Sequence, residues 1–123
     1  MPDPVERPAA PAASGGPAGR PDVLTAADLG APLGERATLV HFSSAFCRPC
    51  AATRQVLRQV GGMVGGVAHV EVDAESRLEL VRRLDVAATP TVLVLDAAGR
   101  VVRRASGLPR KADVIAALGA AIA

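Results

Sequence analysis

The sequence predicts an α/β protein built on a mixed central sheet of four to five strands, with helices on both faces. Three observations lead there. Apolar, β-rich runs alternate with helix-patterned segments in the order strand, helix, strand, helix, strand, strand, helix. The first two strands are each followed by a helix, as in βα units, whereas a tight turn joins the last two as a hairpin. Neither an internal repeat nor a second domain shows in the 123 residues.

Residues 1–21 hold six of the ten prolines, with Gly15, Gly16 and Gly19 among alanines. Such a stretch buries too little apolar surface to offset an ordering cost of roughly 1–2 kcal/mol per residue, so a disordered arm is expected there. The folded domain is expected over 22–123. Val23-Leu24 reads as a short edge strand, and Thr25 as the N-cap of a brief helix through Leu29. Ala37 to Ser43 is mostly apolar, as a strand covered on both faces would be. A helix should open near Cys47 and run to Val60, where Gly61-Gly62 ends it. Val67 to Asp73 alternates apolar and polar residues and reads as a second central strand. Ser76 is expected to cap a helix carrying Leu80, Val81 and Leu84. Pro90 precedes a third apolar strand, TVLVL. Ala97-Ala98-Gly99 then turns the chain into Arg100 to Arg104, whose charges suit an edge. A last helix from about Pro109 should put Val114, Ile115, Leu118 and Ile122 on its apolar face.

Composition narrows the function. Half of the residues are hydrophobic, yet the chain has two Phe, no Tyr and no Trp, so its core is made of small and branched aliphatics. Its 14 cations and 12 anions nearly cancel, and the cations are dispersed. Nucleic-acid binding, which calls for a basic stripe or stacking aromatics, is not expected. Apolar runs are short, such as the four residues Val92 to Leu95, against roughly 20 needed to cross a bilayer. With no secretory pattern at its start, the chain is expected to be soluble, cytoplasmic and monomeric.

The chemistry is concentrated in one place. Cys47 and Cys50, the only two cysteines, are spaced C-x-x-C where an apolar strand hands over to a helix. A thiol at a helix N-terminus sees unpaired N–H groups and the positive end of the macrodipole, which favour its thiolate. Arg48 adds a positive charge beside it, and Pro49 stiffens the loop without forfeiting a needed donor. Cys47 should attack a substrate disulfide, and Cys50, one turn inward, should resolve the mixed disulfide.

The stretch LVHFSSAFCRPC resembles the active-site segment of the thioredoxins, and the resemblance continues through VAHVEVDAE, RRLDV, ATPTVLVLDAAGR and the glycine of ASG. It implies the thioredoxin fold and a protein dithiol–disulfide oxidoreductase. No metal or organic cofactor is implied; protein disulfides would be the substrates, and a reductase or partner thiol the electron donor. It further implies that Pro90 is cis and lies beside the disulfide. The backbone of Thr89 would then be free to pair with an extended substrate segment. Phe46 stands where the family usually has Trp before the first cysteine, and should still offer an apolar shoulder. Ser43 stands at a second Trp position and cannot replace that packing. Arg48 replaces Gly, so a couple more oxidising than the roughly −270 mV of thioredoxin is expected.

The departure with the most chemical content concerns histidine. His41 occupies the position of the family's buried acid, six residues before the first cysteine, and His69 that of a neighbouring Lys. An imidazole is well matched to taking the Cys50 proton near neutral pH. Two alternatives remain open: a thioredoxin-fold binding module without turnover, and a Cys/His site for zinc or copper(I). Ser43-Ser44, Arg82-Arg83 and Arg103-Arg104 read as an ordinary strand end and solvated faces.

Overall fold

A computed structural model describes residues 22–123, so the arm expected over 1–21 lies outside the described residues. Eight elements follow one another: α1 (Ala26–Leu29), β1 (Ala37–Ser43), α2 (Arg48–Met63), β2 (Val67–Asp73), α3 (Leu78–Arg83), β3 (Thr91–Asp96), β4 (Val101–Ser106) and α4 (Lys111–Ile122). The described strands form one four-stranded sheet in the order β2-β1-β3-β4. β1 pairs with β2 in parallel and with β3 antiparallel, and β3 pairs antiparallel with β4. The sheet is therefore mixed, as its sequence pattern implied.

Strand alternation divides the core into two layers. Val40 and Phe42 of β1, Val70 and Val72 of β2, and Leu93 and Leu95 of β3 pack with Leu29 of α1 and Leu80 of α3. The other parity places Ala37, Leu39, Val92 and Val94 against Leu57 and Val60 of α2 and Val114 and Leu118 of α4. Every residue of β1 is buried, because the strand is central and covered on both faces. His41 shares parity with Ala37 and Leu39, so it belongs to the α2 face.

Several sequence expectations are corrected. Gly61-Gly62 does not end α2, which runs on to Met63: both glycines have open space around them, and intrahelical hydrogen bonds outweigh their weak propensity. Ser76 does not cap α3; its hydroxyl donates to Asp73 Oδ2 at 2.7 Å, and Arg77 takes the N-cap position without a side-chain cap. Pro109 precedes α4, whose N-cap is Arg110, and Ile115 is 40% exposed rather than on the packed face. β2 is an edge strand of the described sheet, not a central one. Val23 forms only an isolated bridge to Arg100, although Val23 and Leu24 are buried.

Local chemistry fixes the joins. Thr25 and Asp28 make a reciprocal capping box on α1, and Gly30 closes it in the left-handed conformation at φ 71°. Gly99, at φ 89°, lets the hairpin turn approach Leu24, whose N–H donates to the Gly99 carbonyl at 2.8 Å. Two arginines expected on solvated faces act as tethers. Arg83 donates to Asp28 Oδ1 at 3.1 Å and to the Val23 carbonyl at 2.7 Å. Arg104 donates to the carbonyls of Leu84 and Asp85 at 2.8 and 2.9 Å, holding the end of α3 where Asp85 adopts φ 55°.

Candidate active site

The site is assembled where β1 ends and α2 begins. Cys47 is the N-cap of α2, and Cys50 lies within its first turn. Pro49 in that turn forfeits no needed donor, since an N–H at this position would have no intrahelical i−4 partner. Thr53, fully buried, donates its hydroxyl to the Pro49 carbonyl at 2.8 Å and closes the first turn from inside. The two sulfurs are joined in a disulfide with a Cα–Cα separation of 5.4 Å. Their surroundings differ. Cys47 is half-buried, whereas Cys50 is 2% exposed. Around Cys47, Phe46 is 94% exposed and Arg48 and Pro49 are also on the surface.

A second segment closes on this loop from far along the chain. The Thr89-Pro90 bond is cis, Thr89 is half-buried, and Pro90 is buried. Ser44 and Thr89 share a hydroxyl–hydroxyl hydrogen bond of 2.9 Å across 45 positions. Thr91 donates to the Ala88 carbonyl at 2.6 Å, bracing the turn from its other side. Gly107, at φ 83°, donates its N–H to the Pro90 carbonyl at 2.8 Å, which places Leu108, 53% exposed, next to this loop. From sequence, Gly107 enters only as the glycine of ASG in the family resemblance, Ser44 reads as an ordinary strand end, and Leu108 is not singled out. A serine before a C-x-x-C loop carries no distinctive local signal.

Beneath α2 a buried polar group interrupts the apolar layer of Leu39, Leu57 and Val92. His41 is fully buried, and among the described residues neither of its ring nitrogens has a hydrogen-bond partner. Its ring stacks against His69, with centroids 6.4 Å apart and planes at 18°. Burial pushes both imidazoles below the usual histidine range, and nearby Glu71 opposes that shift in each. Glu71 is the cross-strand partner of His41. It accepts from Arg54 Nε and Nη2 at 2.6 Å each and from Ser43 Oγ at 2.7 Å. The Arg54 hydrogen bonds, joined by those of Ser43 and the nearby cationic charge, hold its carboxyl at about 2.

Sequence reasoning paired His41 with His69, which the structure brings together, but missed Glu71, Arg54 and the part Ser43 plays. The alternation of VAHVEVD already puts His69 and Glu71 on one face. What it lacks is Arg54, which reaches that face from α2. No group of three His, Cys, Asp or Glu side chains arranged to hold a metal occurs among the described residues. Nor, among them, is any helix long and apolar enough to cross a membrane.

A mixed sheet with helices on both faces, carrying a C-x-x-C disulfide at the mouth of a central helix, defines the thioredoxin-fold class and supports a redox-type role. Solved structures agree on the fold. The chain is similar to chloroplastic thioredoxin z, with 26% identity and a TM-score of 0.61 over 70% of this chain and 78% of that one. It is similar to Fasciola hepatica thioredoxin at 22% identity and TM-score 0.62, covering 72% of this chain and 83% of that one. A single-site mutant of thioredoxin from Halobacterium salinarum NRC-1 superposes with TM-score 0.65 at 18% identity, over 72% and 77% of the two chains. No match was found among curated proteins. The family model described as a thioredoxin-like domain matches residues 31–122, and the chain belongs to that family.

Proposed function

We propose that the protein is a thiol–disulfide oxidoreductase acting on protein disulfides through the Cys47/Cys50 couple. The observation that carries this reading is the unequal burial of two bonded sulfurs at the start of a 16-residue helix. Cys47, reachable from solvent at the N-terminus of α2, where the helix dipole favours a thiolate, is the nucleophile. Cys50, 2% exposed, is protected from outside thiols and resolves the mixed disulfide. Phe46, Arg48 and Pro49 on one side and Thr89 and Pro90 on the other line the surface that meets the substrate, with Leu108 extending it. His41, on the face that α2 covers, takes the proton from Cys50.

The reaction balances as a two-electron exchange. The Cys47 thiolate attacks one sulfur of the substrate disulfide, and the other substrate sulfur leaves as a thiolate. The Cys50 S–H then gives its proton to His41, and its sulfur attacks Cys47 Sγ. The Cys47–substrate bond breaks, the substrate is released reduced, and the Cys47–Cys50 disulfide remains. A reductase or partner thiol returns the two electrons. The chain acts without a bound cofactor, as a monomer, in a reducing compartment such as the cytoplasm.

Turnover of insulin disulfides with dithiothreitol as electron source tests the reading. The Cys47→Ser protein should be inactive, and Cys50→Ser should accumulate a mixed disulfide visible on a non-reducing gel. A protein that binds disulfide substrates without turnover would instead be a docking module, and the proposal would be wrong. Arg48→Gly should make the couple more reducing, as read by thiol alkylation in glutathione buffers; an unchanged potential removes Arg48 from the tuning role.

A further inference from the structure

We propose that Glu71 is a positioning residue of the resolution step: its carboxylate, locked in place by Arg54 and Ser43, is the counter-charge for the imidazolium that His41 becomes on taking the Cys50 proton. This inference rests on the reading of His41 as the base.

The geometry is specific. His41 and Glu71 are register partners on the parallel strands β1 and β2, so their side chains leave the sheet on the same face. That face is covered by α2, where Arg54 follows Cys50 by four residues and therefore lies one turn along the same side. The carboxylate accepts a two-pronged guanidinium and one hydroxyl, all within 2.7 Å, from two different elements. It is thus anchored from both β1 and α2. An isolated surface ion pair is worth little, and Glu71 is itself exposed, but a carboxylate anchored as the register partner of a buried ring lacking partners still biases that ring toward its charged form.

The charged groups around the ring do not act in one direction. From β2, Glu71 favours a proton on His41 and His69 disfavours it; from α2, Arg54 disfavours it. His69 feels Arg58 and Arg54 of α2 in the same unfavourable sense. β3 faces His41 with Val92, its register partner, and the buried residues of α4 are Val114 and Leu118. Among the described residues acting on the ring, Glu71 is the one anion. A proton arriving from Cys50 would otherwise sit in an apolar pocket next to a second imidazole and a guanidinium. The carboxylate of Glu71, ionised down to about pH 2, supplies the compensating charge throughout the working range.

The test separates the electrostatic role from a structural one. Reduced protein is mixed with 5,5′-dithiobis(2-nitrobenzoate). The first thionitrobenzoate released reports Cys47 attack, and the second reports resolution by Cys50. The rate of the second phase against pH should show an acid limb set by His41. Glu71→Gln should lower the plateau roughly 3–10-fold and move the limb to lower pH, since the conjugate acid loses its anion. Glu71→Asp, which keeps the charge, should restore most of the rate. Arg54→Met breaks the same ion pair but removes a cation, so it should move the limb to higher pH.

Were the pair only structural, Glu71→Gln and Arg54→Met would shift the limb alike or not at all, and that result overturns the proposal. Should the limb survive in His41→Gln, the base reading itself fails. A limb lost in His41→Gln but unmoved in Glu71→Gln sinks the Glu71 role alone. Proton NMR titration of the ring C–H signals, assigned with His69→Gln, gives the same answer without turnover. The His41 midpoint should fall in Glu71→Gln and rise in Arg54→Met, and any other order counts against the inference.

Discussion

His41 shows how a single residue trades stability for chemistry. A fully buried imidazole with no partner for either nitrogen among the described residues keeps the desolvation cost of two polar atoms. Such groups cost roughly 1–3 kcal/mol each when left unsatisfied, whereas an apolar residue of similar volume carries no such penalty. His41→Leu should therefore match or exceed the wild type in urea denaturation at pH 7, by up to about 2 kcal/mol, while resolution by Cys50 slows. A destabilised His41→Leu protein would mean that the ring is satisfied in solution by further partners such as water. Leu57, fully buried in the same layer, has the opposite character. Leu57→Ala removes only packing and should cost about 2–5 kcal/mol in the same assay.

At the scale of elements, α2 is the scaffold of the site, and its two ends obey different rules. The N-terminal end is fixed by Pro49 and by the Thr53 hydroxyl, which together present Cys47 and withdraw Cys50. The C-terminal end carries Gly61 and Gly62 inside the helix, where a methyl group would meet nothing within 4 Å. Gly61→Ala should thus stabilise the protein by roughly 0.5–1 kcal/mol, seen as a rise in the urea midpoint with unchanged activity. Gly99 is the contrary case: its φ is 89°, and a Cβ would lie 2.1 Å from the Leu24 carbonyl oxygen. Gly99→Ala should cost at least about 1–3 kcal/mol and loosen the link between residues 22–24 and the hairpin.

For the whole molecule, the two imidazoles and the ion-paired carboxylate of Glu71 set the acid limit. His41 and His69 both have folded-state values pushed below 6.5 by burial, so the unfolded chain binds more protons below that pH. Stability should be flat above about pH 6.5 and decline as pH falls below it. Glu71 works on a lower window: its carboxyl sits at about 2 in the fold against 4.5 unfolded, so its contribution is complete above 4.5 and disappears as pH drops toward 2. Urea midpoints measured from pH 8 to pH 3 should show both declines. His41→Leu should shrink the upper one and leave the lower. A midpoint that does not change between pH 7 and pH 5 would refute the histidine part.

Local information was enough for the element order, the C-x-x-C pair at a strand–helix junction and the two-layer core, because strand alternation and helix periodicity are written residue by residue. It also sufficed for the expectation of a cis Pro90, through the resemblance of ATPTVLVLD. It failed wherever a residue's partner lay far along the chain. Ser44 meets Thr89, Glu71 meets Arg54, and Arg104 meets the end of α3, none of which has a periodicity to betray it. Helix ends and edge positions were decided in the same way: α2 passes through two glycines because Leu57 and Val60 are held in a packed layer. β2 is an edge strand because β1 offers its other side to β3. Chain chemistry alone chose which sulfurs and rings exist; only the closing of β1, β2 and α2 on one another decided which charge each of them feels, because electrostatic influence depends on distance in space and not on separation in sequence.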